Sequence, residues 1–164
     1  MARSAACGNR ALTQPVVTLW YRAPELLLGC PTYDVAVDMW SAGCIFAELI
    51  LGTPLLPGSV EQEQLRLMVA LLGTPSQRIW PGIVKCAPEC LAALEALRPQ
   101  PYNNLLNRVT TLTNMGYEFL NAMLTYDPER RITAARALRH PFFREVPAPA
   151  DKTMMPTFSD THMK

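Results

Sequence analysis

The chain has 164 residues, of which 49% are hydrophobic and 18% are charged, and its formal net charge at pH 7 is +1. This length and composition suit one globular domain of average size, and the near-neutral charge gives no electrostatic reason to expect a nucleic-acid or membrane-surface partner. No apolar run reaches about 18 residues, the length that a membrane span needs, and the N-terminus lacks the apolar core of a secretion signal, so we expect an intracellular protein, nuclear or cytoplasmic.

The first segment, residues 1–15, has no periodic apolar pattern and is predicted to be loop. It is followed by Val16–Glu25, which reads VVTLWYRAPE. Pro24 lacks a backbone donor and favours extended geometry in Ala23, so we expect a loop or strand before it and a short helix that begins at Pro24. Gly29 is expected to end this helix.

A longer helix is predicted between Asp34 and Leu51, where six apolar residues recur at helical spacing and other apolar residues occupy the remaining faces. A helix that is apolar nearly all round belongs in the middle of a domain. Gly52, followed by Pro54, is expected to end it.

Four further helices are predicted downstream from helical spacing and from end signals. They are expected at Ser59–Gly73, Glu89–Leu97, Asn114–Tyr126 and Thr133–Leu138. A capping box, in which Gln62 reaches back to the Ser59 amide, opens the first of them, and Thr133 is the expected N-cap of the last. Loop is expected at Pro99–Asn104.

Two motifs carry a resemblance to a known family. Val16–Glu25 and the following Asp38–Gly43, which reads DMWSAG, are similar to the end of the activation segment and to the central helix of protein kinases of the cyclin-dependent group. Pro101–Leu105, which reads PYNNL, resembles the branch that contains cyclin-dependent kinases 10 and 11. It lies where these kinases carry an extra insert.

The fold class is predicted to be all-α, because the strand-like segments are too short to make a sheet and no period repeats. The resemblance implies a truncated C-terminal lobe of the kinase fold, without the sheet of the N-terminal lobe. On this interpretation residues 1–15 match the start of the activation segment poorly and residues 16–146 form the partial lobe. Residues 147–164 form a Pro-rich tail, extended or disordered.

The resemblance also implies a substrate-binding set. Val16, Val17, Leu19 and Arg22 match positions that shape a pocket for a proline after the target Ser or Thr, a residue with no N–H to satisfy. Thr18 matches a hydroxyl that bridges to the catalytic aspartate. The alternative is that the three apolar residues of the set simply pack inward.

Three structural residues are implied as well. Glu25 and Arg131 match a buried ion pair that ties the activation segment to the lobe; the alternative is two independent solvated charges. Asp38 is expected to be a buried acceptor, whose partner in kinases is the backbone of a catalytic loop that this chain lacks. It would then be hydrated, raised in pKa, or bonded to a substitute donor, and a catalytic role for it is rejected.

Thr13 is a candidate phosphorylation site, and Arg3 is the candidate phosphate contact. A phosphate needs clustered arginines to order a loop. The family supplies three, and of these only Arg3 has a counterpart here, so phosphorylation is expected to order little. The alternative is that Thr13 is an ordinary loop hydroxyl.

Five cysteines, odd in number and irregularly spaced, argue against a disulfide framework. Cys86 and Cys90 have the spacing of half a metal site. Two ordinary thiols are the favoured interpretation, since His140 and His162 lie far along the chain with no matching cysteine pair. No metal site is predicted.

The sequence lacks the motifs that phosphate transfer by a kinase requires: a GxG loop, a lysine on a strand, and an HRD or DFG sequence. The chain alone is therefore predicted to be inactive, with no catalytic residue and no cofactor of its own. ATP, Mg²⁺, a cyclin and substrates with Ser/Thr-Pro sites are expected for a full-length parent.

Two functional hypotheses follow. The chain is the C-terminal fragment of a proline-directed, cyclin-dependent-like Ser/Thr protein kinase, or it is a short non-catalytic form that acts as a protein-binding module. An unrelated helical scaffold would require both motifs to be coincidental.

Overall fold

The computed structural model describes residues 19–148 and 150–154, and within these ranges all regular structure is helical, which confirms the predicted all-α class. None of the described helices has the length and apolarity that a bilayer crossing requires. The α-helices are α1 (Pro24–Leu27), α2 (Ala36–Leu51), α3 (Glu61–Leu72), α4 (Pro88–Glu95), α5 (Leu105–Arg108), α6 (Asn114–Met123) and α7 (Ala134–Ala137). Short 3₁₀ helices lie at Leu19–Tyr21, Pro81–Lys85, Pro141–Arg144 and Lys152–Met154.

Helix α1 has the predicted start and stop. Ala23 is extended, with φ −69° and ψ 150°, and Pro24 is the first helical residue. Gly29 follows the helix with φ +61°, a conformation that glycine adopts without steric strain. The chain therefore turns sharply into the loop that leads to α2.

Helix α2 packs against α6 at the centre of the core. A Cβ on Gly43 would lie 2.9 Å from Cβ of Met123, so the two helices approach closely here because this residue has no side chain. Phe46 extends the contact, with its ring 5.5 Å from that of Phe119 and 5.4 Å from that of Phe142 in edge-to-face geometry.

The prediction that α2 is buried all round is correct for one side only. Trp40, Cys44 and Ala47 are buried, whereas Ile45 and Leu49 are 49% and 78% exposed. These two share an outer face with Asp38 and Ala42, at helical spacing. Helix α2 therefore has a core-facing side and an apolar side that the described residues leave in solvent.

Helix α3 begins with a different cap from the one predicted. Glu63, rather than Gln62, accepts a hydrogen bond from the Ser59 amide, at 2.9 Å, and a second one from the Ser59 hydroxyl. These two bonds hold the pKa of Glu63 below its ordinary value. The contact is shifted by one residue because the helix starts at Glu61, and the N-cap residue Val60 makes no side-chain cap bond.

Two later helices have threonine N-caps, of which the one at Thr133 was predicted from the sequence. Thr113 Oγ1 accepts from the Gly116 amide at 3.0 Å at the start of α6, and Thr133 Oγ1 accepts from the Arg136 amide at 3.4 Å at the start of α7. The segment Pro99–Asn104 is loop, as predicted. Helix α5 directly after it was not predicted, because a single turn carries too little periodicity to be recognised.

Candidate functional site

The structure describes two members of the predicted substrate-binding set, Leu19 and Arg22. Val16, Val17 and Thr18 lie outside the described residues. So do the candidate phosphorylation site Thr13 and its expected contact Arg3, as does most of the tail after residue 147.

Leu19–Arg22, which we call the recognition turn, is a 3₁₀ turn closed by a bond from the Arg22 amide to the Leu19 carbonyl, at 3.0 Å. Its first aromatic side chain is fixed by the loop before α3, since Trp20 Nε1 donates to the Gly58 carbonyl at 3.1 Å. The 3₁₀ turn thus presents Arg22 next to the N-terminus of α3.

Two further hydrogen bonds attach the recognition turn to α2. Tyr21 Oη donates to Glu48 Oε2 at 2.7 Å, and Ser41 Oγ donates to the Tyr21 carbonyl at 2.9 Å. The bond to Glu48, reinforced by partial burial, raises the pKa of Tyr21. The turn is therefore supported from both α2 and the α3 side.

Arg22 forms an ion pair at the surface. Its Nη1 donates to Glu61 Oε1 at 2.7 Å, and the two side chains are 21% and 47% exposed. Exposed pairs of this kind contribute little to stability, on the order of 0–1 kcal/mol. The contact serves to orient the guanidinium more than to hold the fold together.

Glu25 and Arg131, which we call the anchor pair, lie next to the recognition turn and are 1% and 0% exposed. Arg131 Nη1 donates to Glu25 Oε1 at 2.7 Å and Nη2 donates to Oε2 at 2.8 Å. The remaining guanidinium N–H groups reach the carbonyls of Thr125, Ala36 and Tyr126, at 2.9, 2.7 and 3.1 Å. All five donors of the arginine are thus satisfied by protein groups.

Burial in this arrangement excludes two independent solvated charges. The guanidinium also lies over the Trp40 ring, 5.2 Å from its centroid. Through the anchor pair, the first turn of α1 is fixed to the loop between α6 and α7 and to the start of α2. The end of the recognition turn is therefore attached to the core by a contact that solvent does not reach.

Gln64, a fully buried polar residue below the recognition turn, was not predicted from the sequence. Its Oε1 accepts from the Gly58 amide at 3.0 Å, and its Nε2 donates to the Trp20 carbonyl at 3.3 Å. Helical periodicity could not reveal this role, because both partners are backbone groups outside α3. Glu61, by contrast, has a visible signal, since acidic residues favour the first turn of a helix.

The prediction that Asp38 is buried is wrong. The residue is exposed in the first turn of α2, on the outer face of that helix. A carboxylate in solvent needs no protein donor, so this position fits a hydrated Asp38.

A cavity of about 190 Å³ lies behind the anchor pair, between the loop after α1 and the 3₁₀ helix Pro81–Lys85. Two of its carboxylates already have arginine partners: Glu25 binds Arg131, and Asp127 Oδ2 lies 3.4 Å from Arg130 Nε. Within the described ranges, no group of three or more His, Cys, Asp or Glu side chains is placed to hold a metal ion. The donors of this cavity therefore do not make a metal centre.

Cys30, on the wall of the same cavity, forms a disulfide with Cys86, so the prediction of an ordinary thiol is wrong at Cys86. The loop after α1 runs beside the segment before α4, and the Ala87 amide donates to the Leu28 carbonyl at 3.0 Å. The pairing was not visible in the sequence, because the two cysteines are 56 positions apart and tertiary structure alone brings them together.

Comparison with known proteins gives consistent matches. The family model described as "Protein kinase domain" matches residues 1–143. Cyclin-dependent kinase 10 of Rattus norvegicus is 48% identical over 158 residues, covering 96% of this chain and 43% of the relative. Cyclin-dependent kinase 11B of Homo sapiens is 47% identical over 161 residues, covering 96% of this chain and 20% of the relative. The chain thus spans less than half of the length of these curated relatives.

Proposed function

The chain belongs to the protein kinase family, as a cyclin-dependent-like member, and from this membership we propose that it is the C-terminal part of a proline-directed Ser/Thr kinase. The whole kinase transfers the γ-phosphate of ATP to protein Ser or Thr residues that are followed by proline. This part of it recognises the target peptide. The kinase acts inside the cell, in the nucleus or the cytoplasm.

The observation that carries the proposal is the anchor pair. A buried carboxylate and guanidinium, joined by two hydrogen bonds, attach the segment after the recognition turn to the core. A surface that selects one peptide sequence must keep its shape while the peptide binds, because ordering it during binding would reduce affinity. The anchor pair supplies that rigidity directly beside Arg22.

Arg22 is the residue of this surface that we assign to proline selection. Its side chain is partly exposed, and its contact with Glu61 fixes its direction. Leu19 begins the same turn. On the resemblance alone, Val16, Val17 and Thr18 belong to this surface, and Thr13 with Arg3 forms a phosphorylation site upstream of it.

ATP, Mg²⁺ and a cyclin are assigned to the whole kinase. The described residues do not fit a nucleotide–magnesium site, because Asp38 stands alone on an exposed helix face and the cavity carboxylates Glu25 and Asp127 are held by arginines. The name of the relative cyclin-dependent kinase 10 supports a cyclin as a partner.

The exposed outer face of α2 helps to choose between the kinase and the alternative function, a short non-catalytic binding module. Val35, Ile45 and Leu49 are 79%, 49% and 78% exposed there. Apolar side chains grouped on one helix face usually mark a surface that further protein covers. This supports the kinase, in which the rest of the lobe would cover the face, over a module that keeps the face in solvent.

The test is a kinase assay on the protein as cells make it. An epitope tag is placed at the natural locus, and the captured protein is given ATP, Mg²⁺ and either a Ser-Pro peptide or the same peptide with Ser-Ala. We expect labelling of the Ser-Pro peptide and little labelling of the Ser-Ala peptide. The intact mass of the captured protein gives the length of the form that carries the activity.

The purified 164-residue chain is the matched control, and it should label neither peptide. Equal labelling of both peptides by the captured protein would refute the proline-directed assignment. A captured protein of full activity with the mass of this chain alone would refute the assignment of phosphate transfer to a longer form.

A further inference from the structure

The disulfide joins two segments that are distant in the sequence. Cys30 lies just after α1, and Cys86 follows the 3₁₀ helix Pro81–Lys85. The segments also meet through the backbone bond from Ala87 to Leu28, and a Cβ on Gly29 would lie 3.0 Å from Cβ of Ala87. A covalent bond, a hydrogen bond and close backbone packing therefore coincide at one crossing.

The two sulfur atoms differ in their access to solvent. Cys30 is half-buried and lines the 190 Å³ cavity, whereas Cys86 is buried. Exposed residues border this cavity, among them Tyr33, Asp34 and Lys85. A small solute can therefore approach Cys30 through the cavity, whereas the buried Cys86 is shielded by the protein.

We propose that Cys30–Cys86 is a thiol–disulfide exchange site for low-molecular-weight thiols, and that its redox state opens or fastens the crossing between the loop after α1 and the segment before α4. The exchange is independent of phosphate transfer and acts on the cavity wall. It assigns a covalent modification to two residues that the kinase reaction does not use.

The exchange proceeds in two steps. The thiolate of a low-molecular-weight thiol such as glutathione attacks Cys30 Sγ, forms a mixed disulfide with it, and releases Cys86 as a thiolate, which takes up a proton. A second thiol then attacks the external sulfur and releases Cys30 as a thiol. Two small thiols are oxidised to one small disulfide, and the protein gains two electrons and two protons.

Cys44 does not compete in this chemistry. It is buried in α2, and burial raises the pKa of its thiol to about 12. Because the thiolate is the reactive form, Cys44 is nearly unreactive at neutral pH. It therefore serves as an internal negative control for thiol labelling.

Reduction leaves the crossing with only its backbone hydrogen bond and its packing. Such a crossing opens more often, because one of the constraints on local unfolding has been removed. The peptide bond between Lys85 and Cys86 lies at this crossing. It should therefore be cut faster by a protease in the reduced protein.

The chain offers a direct test, because its lysines are Lys85, Lys152 and Lys164 only. Endoproteinase Lys-C cuts between Lys85 and Cys86 and so separates residues 1–85 from residues 86–152 unless the disulfide holds them together. The purified full chain is equilibrated with oxidised or reduced glutathione, alkylated, digested and run on a non-reducing gel. We expect joined fragments after oxidation and separate fragments after reduction, with several-fold faster cutting after Lys85 in the reduced protein.

The variants Cys86→Ser and Cys44→Ala form the matched pair. Cys86→Ser should give separate fragments in both buffers, and Cys44→Ala should behave as the unmodified chain does. The unmodified chain alone decides the question if a variant does not fold. Separate fragments after oxidation would overturn the proposal, and so would joined fragments that reduced glutathione splits only after denaturant has unfolded the protein.

Discussion

The anchor pair and the recognition turn each contain an arginine that binds a carboxylate. The two arginines differ in how many of their N–H groups are bound to protein oxygens. Arg131 is fully buried, and its five N–H groups are all bound to protein oxygens. Arg22 is partly exposed and makes a single contact to Glu61 among the described residues. The comparison teaches that the first arginine is fully used in holding the fold, whereas the second is held in place but keeps donors for a ligand.

Breaking the anchor pair should have the largest effect. Arg131→Met leaves Glu25 as a buried, unpaired carboxylate and removes the donors of three backbone carbonyls. We expect the free energy of unfolding of the purified chain to fall by about 3–5 kcal/mol, the usual result of removing one partner of a buried pair. Urea denaturation measures it.

Arg66→Ala is the matched control, since Arg66 is 59% exposed and its contact with the partly exposed Glu63 is longer, at 3.9 Å. It should lower the free energy of unfolding by at most about 1 kcal/mol. Similar losses in the two variants would contradict the structural role assigned to the anchor pair.

Removing the hydrogen bonds of Gln64 below the recognition turn should cause the next largest loss of stability. Gln64→Met keeps the approximate volume of the side chain but leaves the Gly58 amide and the Trp20 carbonyl without this partner. A buried polar group that loses its partner costs about 1–3 kcal/mol. Gln62→Met, on the exposed side of the same turn of α3, should be nearly neutral in the same denaturation experiment.

The tyrosines of the two regions give a prediction of pH dependence. Burial raises the pKa of Tyr126, whose hydroxyl donates to the Gly73 carbonyl and whose own carbonyl accepts from Arg131. The ordinary pKa of tyrosine is about 10. Because the folded state holds the proton to a higher pH, the contribution of Tyr126 is complete below pH ~10 and is lost above it, at about 1.4 kcal/mol per pH unit.

Tyr21 in the recognition turn has a raised pKa for a different reason, its hydrogen bond to Glu48. Its contribution is likewise lost above the ordinary pKa of tyrosine, but a half-buried ring at the surface can ionise without unfolding. Ultraviolet titration should therefore show Tyr21 ionising in the folded protein, and Glu48→Gln should lower its pKa. The ionisation of Tyr126 should coincide with unfolding, and early ionisation of both tyrosines would remove this contrast between the two regions.

Much of this comparison could be predicted from the sequence. Pro24 and Gly29 set the ends of α1 through backbone restrictions that act locally, and Thr133 caps α7 through a side-chain bond to an amide three residues away. The expected membership of the cyclin-dependent group, with its resemblance to kinases 10 and 11, is confirmed by the similarity to these relatives. Helix ends that depend on local signals, and a family that is marked by long motifs, can therefore be predicted from the sequence alone.

The rest depended on contacts between distant residues. Asp38 was placed inside because it lies in an apolar helix, but only packing decides which face of α2 is covered. Gln64 and the Cys30–Cys86 pair act on groups that lie far from them in sequence. Neither propensity nor spacing contains that information, since both describe a residue and its near neighbours.

The smallest expected change in stability belongs to Arg22, the residue that we propose selects the proline of the target. Arg22→Ala removes an exposed ion pair and should lower the free energy of unfolding by about 0.2–1 kcal/mol, less at high salt because salt screens such pairs. Arg66→Ala, which removes a longer surface contact of 3.9 Å to Glu63, is the matched control for stability. In the captured kinase, however, Arg22→Ala should reduce the preference for Ser-Pro over Ser-Ala peptides, whereas Arg66→Ala should not. If Arg22→Ala instead destabilised the chain as much as Arg131→Met does, both arginines would be structural, and the division between the anchor pair and the recognition turn would fail.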